Sequence, residues 1–196
     1  MSFFAENYWH CVLAGLFPGI LLAAWIDYSQ RRVPNWLNGT LALLGLLLQG
    51  LAFGWWSSDI DGVRGGVGWG LLGLAVGLGV LIVPWAMHGM GAGDVKLMAA
   101  IGCWLGPWLT LVSFVAGAII GGLVGLVMIY VGGRTVHAIT NMQTIFAKLR
   151  RLDTAFSDFG GARSFGDTSQ LLPYGVPLTV GTIGVVLTYY LGGWLS

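Results

Sequence analysis

Long apolar stretches, separated by short polar breaks, leave this chain very few ways to fold. Of its 196 residues, 56% are hydrophobic and 9% are charged, whereas about a quarter of the residues in a soluble domain are charged. A helix needs about 20 apolar residues to cross a bilayer. Six stretches approach this length: Trp9–Ile26, Leu37–Trp55, Val67–Trp85, Val95–Leu111, Leu111–Val131 and Tyr174–Leu195. The sequence therefore predicts an all-α polytopic membrane protein with six transmembrane helices, forming one membrane-embedded domain over residues 1–196.

The fourth stretch is the weakest of the six, because Gly106-Pro107 interrupts a nearly continuous apolar run. Residues 95–106 are short for a crossing, so a re-entrant half-helix is the alternative. With six crossings, eight of the nine Lys and Arg residues fall on one side and Arg64 falls on the other. The positive-inside rule makes that basic side cytoplasmic. Six crossings with both termini outside are therefore preferred.

The loop over residues 132–172 is the one long polar connection, and the topology places it in the cytoplasm. Its part His137–Leu152 has apolar residues at helical spacing and a basic end. It fits an amphipathic helix lying on the anionic leaflet, and it equally fits a solvated, partly helical loop. Within the membrane, Gly117, Gly121 and Gly125 recur every fourth residue, which predicts close helix packing.

Several functional classes find no support in the composition. No basic patch of the size needed for nucleic-acid binding is present. Cys11 and Cys103 lie in apolar stretches and lack the spacing of a zinc site or a disulfide framework. The sequence therefore predicts no metal ion, no cofactor and no nucleic-acid partner.

Two aspartates border the apolar stretches and are the strongest candidates for chemistry. Asp27 ends the first stretch and Asp94 opens the fourth, so six crossings place both at the cytoplasmic ends of their helices. Carboxylates at membrane depth usually mark function. Taken singly, Asp94 also suits a helix N-cap and Asp27 also suits a pair with Arg31 one turn later. Together they form a potential dyad that shares a proton and activates water for amide hydrolysis.

A glycine-rich loop leads into Asp94 and has the residues needed for close contact with another chain. Gly89, Gly91 and Gly93 permit unusual backbone angles and leave room for an extended substrate. A phosphate site before a helix is conceivable, but the GxxxxGK[ST] pattern is absent. After the first helix, Pro34-Asn35 predicts a turn in which Asn35 caps the second helix.

Three segments together resemble the type IV prepilin peptidases. Gly91-Ala92-Gly93-Asp94 looks like their GxGD signature, and Asp27, followed by Arg31 and Pro34-Asn35, is similar to their other aspartate segment. Leu172-Pro173-Tyr174-Gly175-Val176-Pro177 resembles the entry to their last helix. The segments occur in family order and cover nearly the whole chain.

The resemblance implies an inner-membrane aspartyl endopeptidase that removes the leader of prepilin-like substrates at the cytoplasmic face. Asp27 and Asp94 would be the catalytic pair, and Gly91 and Gly93 would shape the active-site loop. Lys96 and Arg31 would contact substrate or hold the aspartates ionised, although as cytoplasmic charges they need no further role. The partners implied are prepilin-like membrane proteins and the lipid bilayer itself.

The longer family members carry an extra N-terminal region with a four-cysteine zinc loop and N-methylate the cleaved pilin. This chain has no CxxC pair, so it resembles the short members that serve tight-adherence (Flp) pili, and N-methyltransferase activity is not expected. The rival interpretations are an ion-coupled transporter using the two aspartates and a non-catalytic pilus-assembly protein. Presenilin-type proteases share GxGD, but they carry their other aspartate on a later helix.

Overall fold

Helices account for most of the structure, a computed structural model that describes residues 3–30, 33–55, 57–60, 63–86, 91–131 and 174–193. In chain order the elements are α1 (Phe3–Glu6), α2 (Tyr8–Gln30), α3 (Asn35–Phe53), β1 (Ser57–Ile60), β2 (Val63–Gly65), α4 (Val67–Ala86), α5 (Ala92–Val131) and α6 (Gly175–Gly193). Four of these helices, α2, α3, α5 and α6, are long and apolar enough to span a membrane. The predicted helical membrane architecture is confirmed at this level. The predicted loop over residues 132–172 lies outside the described residues.

The connection between α3 and α4 departs from the all-α prediction, because it forms an antiparallel hairpin of β1 and β2. Gly54 and Gly66 flank this hairpin with φ values of 71° and 109°, which only glycine adopts readily. The Val67 N–H donates to the Gly54 carbonyl at 3.0 Å, closing the hairpin where α4 begins. A short polar link between two helices thus satisfies its backbone as a pair of strands.

Helix α5 is interrupted at Gly106, whose φ of 73° and ψ of 177° are not helical. A side chain at this position would also collide with the indole of Trp69. Pro107 follows directly and suits the first position of a new helical segment, where its missing N–H has no helical partner to lose. Residues 92–105 and 107–131 are therefore two helical segments joined by a sharp break.

The chain reverses direction at this break. Before it, Gly77 of α4 packs against Met98, and the Gln49 side chain of α3 bonds the Trp104 carbonyl. After it, Gly121 packs against Pro177 in the first turn of α6. The first turn of α6 also contacts the C-terminal end of α2, where Asp27 lies. Residues 107–131 therefore return toward the end of the bundle at which α5 begins.

The number of membrane crossings therefore cannot be counted from the number of helices. Residues 92–105 would span about 21 Å at 1.5 Å per residue, which is less than the roughly 30 Å hydrocarbon core. Four helices are long and apolar enough to cross a membrane, which fits a multi-pass membrane protein. The six crossings stay a prediction.

Glycines bring the helices around α5 into close contact. A Cβ at Gly117 would lie 3.0 Å from the Leu178 Cα, and one at Gly121 would lie 3.4 Å from the Pro177 Cβ. The predicted close packing is confirmed at these two positions. At Gly125 no described atom lies within 4 Å, so the packing does not extend there among the described residues.

A buried polar network, which we call the Gln49 network, lies at the end of the bundle that carries the break in α5. The Gln49 Nε2 donates to the Tyr8 hydroxyl and to the Trp104 carbonyl, both at 3.0 Å, and the Tyr8 hydroxyl also donates to that carbonyl. The Gly66 N–H donates to the Gln49 Oε1 at 3.0 Å, and the Trp104 Nε1 donates to the Leu41 carbonyl at 2.8 Å. Side chains from α2 and α3 thus satisfy a carbonyl near the helix break.

Candidate active site

Asp27 lies near the end of α2 and is only 5% exposed. Its Oδ2 accepts a hydrogen bond of 3.0 Å from the N–H of Gly175, the first residue of α6. A Cβ at Gly175 would lie 2.7 Å from the same oxygen, so a larger residue would displace the carboxylate. The positive N-terminal end of α6 therefore faces a carboxylate, an arrangement that favours negative charge.

Asp94 lies in the first turn of α5 and is 6% exposed. Since the helix begins at Ala92, Asp94 is inside it, and the suggestion that Asp94 is the N-cap was wrong. Its backbone N–H donates to the Gly91 carbonyl at 3.2 Å. A Cβ at Gly91 would lie 3.4 Å from the Asp94 Oδ2, so the loop backbone passes beside this carboxylate.

The fold brings these two aspartates together at one end of the bundle. Their carboxylates lie close enough for their charges to interact. Both are buried, and they come from helices that are distant along the chain. Two buried carboxylates whose charges interact can share one proton, and in that state one is a proton donor and the other a proton acceptor. Among the described residues no group of three or more His, Cys, Asp and Glu is placed to hold a metal ion.

The first turn of α5, just before Asp94, packs against the link between α2 and α3. A Cβ at Gly93 would lie 3.2 Å from the Val33 N and 3.3 Å from the Val33 Cβ, so the glycine permits close approach between the two segments. Neither Gly91 nor Gly93 has a positive φ. The expectation of unusual backbone angles was therefore wrong at these two positions, whereas the expectation of close approach is met at Gly93 by the protein's own chain.

Of the two basic candidates, the structure describes only Lys96. Its side chain is exposed, and its Nζ donates to the Asn35 Oδ1 at 2.8 Å. Asn35 was expected to cap α3, but the capping position belongs to Pro34 and carries no side-chain hydrogen bond. Asn35 instead links the start of α3 to the start of α5. Arg31 lies outside the described residues.

Asn38 is a site residue that the sequence analysis missed. It is 4% exposed, and its Nδ2 donates to the Gly93 carbonyl at 3.3 Å. Its Oδ1 is buried and has no hydrogen-bond partner among the described residues. The sequence placed Gly175 at the entry to the last helix, but it did not reveal the hydrogen bond from Gly175 to Asp27. Both contacts join segments that are far apart in sequence, so no local spacing reveals them.

Comparison with known proteins adds one finding to this geometry. A family model described as the type IV leader peptidase family matches residues 14–126, which is more than half of the chain and includes both aspartates. Searches of curated proteins and of solved structures gave no significant match.

Proposed function

The chain belongs to the type IV leader peptidase family, and we propose that it is an aspartyl endopeptidase that uses Asp27 and Asp94 to remove the leader of prepilin-like substrates. Membership of the family makes the chain a peptidase of the prepilin type in general terms. The catalytic residues, the membrane face and the individual substrates are what we propose.

One observation carries the catalytic assignment. Asp27 and Asp94 are the two described aspartates among the buried residues, and they interact with each other across the α2–α5 junction. Burying a carboxylate destabilises a protein unless a partner compensates for the lost hydration. A pair of like groups cannot compensate for both charges, so a catalytic use explains the arrangement better than a structural one.

The roles of the two carboxylates follow from their surroundings. The hydrogen bond from Gly175 stabilises a negative Asp27, so we assign Asp27 as the general base and Asp94 as the proton donor. Asp27 takes a proton from water while the water oxygen attacks the scissile carbonyl carbon. Asp94 gives its proton to the carbonyl oxygen. As the tetrahedral intermediate collapses, Asp27 passes its proton to the leaving nitrogen, the C–N bond breaks, and one of the two hydroxyls on the carbon returns a proton to Asp94. The products are a carboxylic acid and an amine, and both aspartates regain their starting protonation states.

The proposed topology has six crossings, with both termini outside and the aspartate end of the bundle in the cytoplasm. Reversal of the chain at Gly106 supports this count, because residues 92–105 and 107–131 then cross in opposite directions. A substrate with a basic leader followed by an apolar helix would lie in the bilayer beside the enzyme. Its cleavage site would emerge at the depth of Asp27 and Asp94.

Exposed aromatic side chains at both ends of the bundle support this depth. Trp25, Tyr28 and Trp36, near the aspartates, are 63–72% exposed. Trp55 and Trp108, at the opposite end, are 72% and 68% exposed. Tryptophan and tyrosine concentrate at the two membrane–water interfaces, so the aspartates would lie at one of them. We further propose a short form of the family that serves Flp-type pili and lacks N-methyltransferase activity.

The test is cleavage of a panel of prepilin-like proteins in membranes or detergent by wild type, Asp27→Asn and Asp94→Asn. We expect wild type to remove a leader and both variants to fail while staying folded. Cleavage by both variants would refute the catalytic assignment. If wild type cleaves nothing but moves ions across a vesicle membrane, the transporter interpretation replaces this one.

A further inference from the structure

Among the described residues, only one end of the Asn38 side-chain amide, its Nδ2, has a hydrogen-bond partner. In the part of the chain that the structure describes, two buried side-chain atoms lack a hydrogen-bond partner, the Asn38 Oδ1 and the Ser113 Oγ. Ser113 lies seven residues after Gly106, toward the break in α5, whereas Asn38 bonds the residue that directly precedes Asp94. The unpaired oxygen of Asn38 therefore belongs to the immediate surroundings of the aspartate pair.

The bond to Gly93 decides which way the amide is turned. A backbone carbonyl only accepts hydrogen bonds, so the donor end of the amide must face Gly93. The oxygen at the other end is left as an acceptor. Exchanging the two ends would place two oxygens against each other and would leave the buried NH₂ group unpaired. The site thus presents an acceptor to which no described residue donates.

A buried acceptor without a donor destabilises a folded protein, and native structures keep few of them. In a peptidase, the group that supplies hydrogen-bond donors at the site is the extended backbone of the substrate, with one N–H per residue. An asparagine amide is complementary to a peptide group because each has one donor end and one acceptor end. The surroundings of Asn38 therefore fit a substrate backbone N–H.

We propose that Asn38 binds the substrate backbone, accepting with its Oδ1 an N–H of a residue near the scissile bond while its Nδ2 keeps the Gly93 carbonyl in place. This rests on the proposed peptidase function and adds a substrate-binding residue to it. Because the contact is with backbone atoms, it helps to hold the peptide extended and places little restriction on the substrate side chain.

The experiment is an amide-to-ester scan of a synthetic prepilin-like peptide with a basic leader and an apolar helix. Each ester removes one backbone N–H near the cleavage site. With wild-type enzyme we expect one ester position to raise KM about tenfold, as the loss of one hydrogen bond to a buried acceptor would. Asn38→Leu, of similar volume but without hydrogen-bonding groups, should raise KM for the all-amide peptide and show no extra loss at that ester position.

Gln49→Leu is the matched control, since it removes another buried amide at the opposite end of the bundle. It should lower thermal stability and leave the ester profile of wild type unchanged. If Asn38→Leu keeps the wild-type sensitivity at every ester position, Asn38 only holds the loop and the proposal is wrong.

A second measurement covers the case in which Asn38→Leu does not cleave at all. Binding of a fluorescent all-amide peptide is compared between Asp94→Asn and the double variant Asp94→Asn/Asn38→Leu. Binding about tenfold weaker in the double variant is expected, and equal binding overturns the proposal. Cleavage by wild type tests the peptidase function separately, so failure of the function and failure of the Asn38 contact give different results.

Discussion

The two ends of the helix bundle differ in how completely their buried polar groups are hydrogen-bonded. At the end with the helix break, every polar group of the Gln49 amide is paired, with Tyr8, Trp104 and Gly66 as partners. At the other end, the buried Asp27 and Asp94 carboxylates interact through their like charges, and Asn38 keeps an oxygen without a donor in the described part of the chain.

Under the proposed function, this difference separates groups that hold the fold from groups that take part in catalysis and substrate binding. A fully paired network stabilises one arrangement and has no capacity left for a ligand. An incomplete one costs stability and keeps hydrogen-bonding capacity for substrate and water. Substitutions at the two ends should therefore affect different measurements: unfolding at the Gln49 end and catalysis at the aspartate end.

The largest expected effect is a loss of activity without a loss of stability at the aspartate pair. Asp27→Asn and Asp94→Asn should each reduce kcat/KM by about 10³-fold, within the range for loss of a general acid or base. Their thermal unfolding temperatures in detergent should equal or exceed that of wild type, because asparagine is uncharged and nearly the same size, so each variant leaves a single buried carboxylate without a like group beside it. A clearly lower unfolding temperature in either variant would mean that the pair stabilises the fold.

Next in size is the effect of enlarging Gly175. Gly175→Ala places a Cβ 2.7 Å from the Asp27 Oδ2, so the carboxylate must shift, and we expect kcat/KM to fall about 100-fold, as displacement of a reacting group by about 1 Å can cause. Gly184→Ala is the matched control on the same helix, because no described atom lies within 4 Å of a Cβ there. Equal activities of the two variants would show that Gly175 does not position Asp27.

At the opposite end, Gln49→Leu should affect stability alone. It removes the partner of the buried Gly66 N–H and one donor to the Trp104 carbonyl, and we expect the free energy of unfolding to fall by about 2–3 kcal/mol. Cleavage per folded molecule should stay within about twofold of wild type, measured at a temperature where the variant remains folded. A large fall in kcat/KM while Gln49→Leu remains folded would show that the Gln49 network also affects catalysis, contrary to the proposed separation of the two ends.

The smallest expected effect concerns Lys96, which lies at the rim of the aspartate end. Lys96→Met removes the exposed hydrogen bond to Asn35 and should change the free energy of unfolding by less than about 1 kcal/mol. Activity within about threefold of wild type would assign Lys96 to the link between α3 and α5. A tenfold or greater rise in KM, restored by Lys96→Arg, would instead make it a substrate contact.

The helices themselves could be predicted from the sequence because their cause is local. Hydrocarbon offers no hydrogen bonds to a backbone, so a long apolar stretch must form a helix wherever it packs. Predicted segments such as Val67–Trp85 accordingly match the observed α4, Val67–Ala86, to within a residue. The β1–β2 hairpin escaped this reasoning because its short polar stretch has no comparable constraint.

Asp27 and Asp94 could be selected from the sequence alone because charge at the edge of an apolar stretch is rare and costly. The residues that contact these aspartates and their neighbours could not be selected in this way. Gly175 bonding Asp27, and Asn38 bonding Gly93, join residues more than 50 positions apart. A glycine or an asparagine near a helix end is usually explained by local backbone geometry or capping. That explanation gave no reason to single out Gly175 or Asn38, and for Asn35 it predicted a cap that the structure does not show.

The sequence by itself thus determined the helices, the apolar environment and the two carboxylates, since hydropathy and charge act within each segment. Only the tertiary structure decided that the start of α6 packs beside Asp27, that the start of α5 packs beside Asn38, and which buried polar groups find partners. Those outcomes depend on which helix ends come together in space. Their physical reason is that hydrogen bonds and close contacts act over a few ångströms, whatever the separation along the chain.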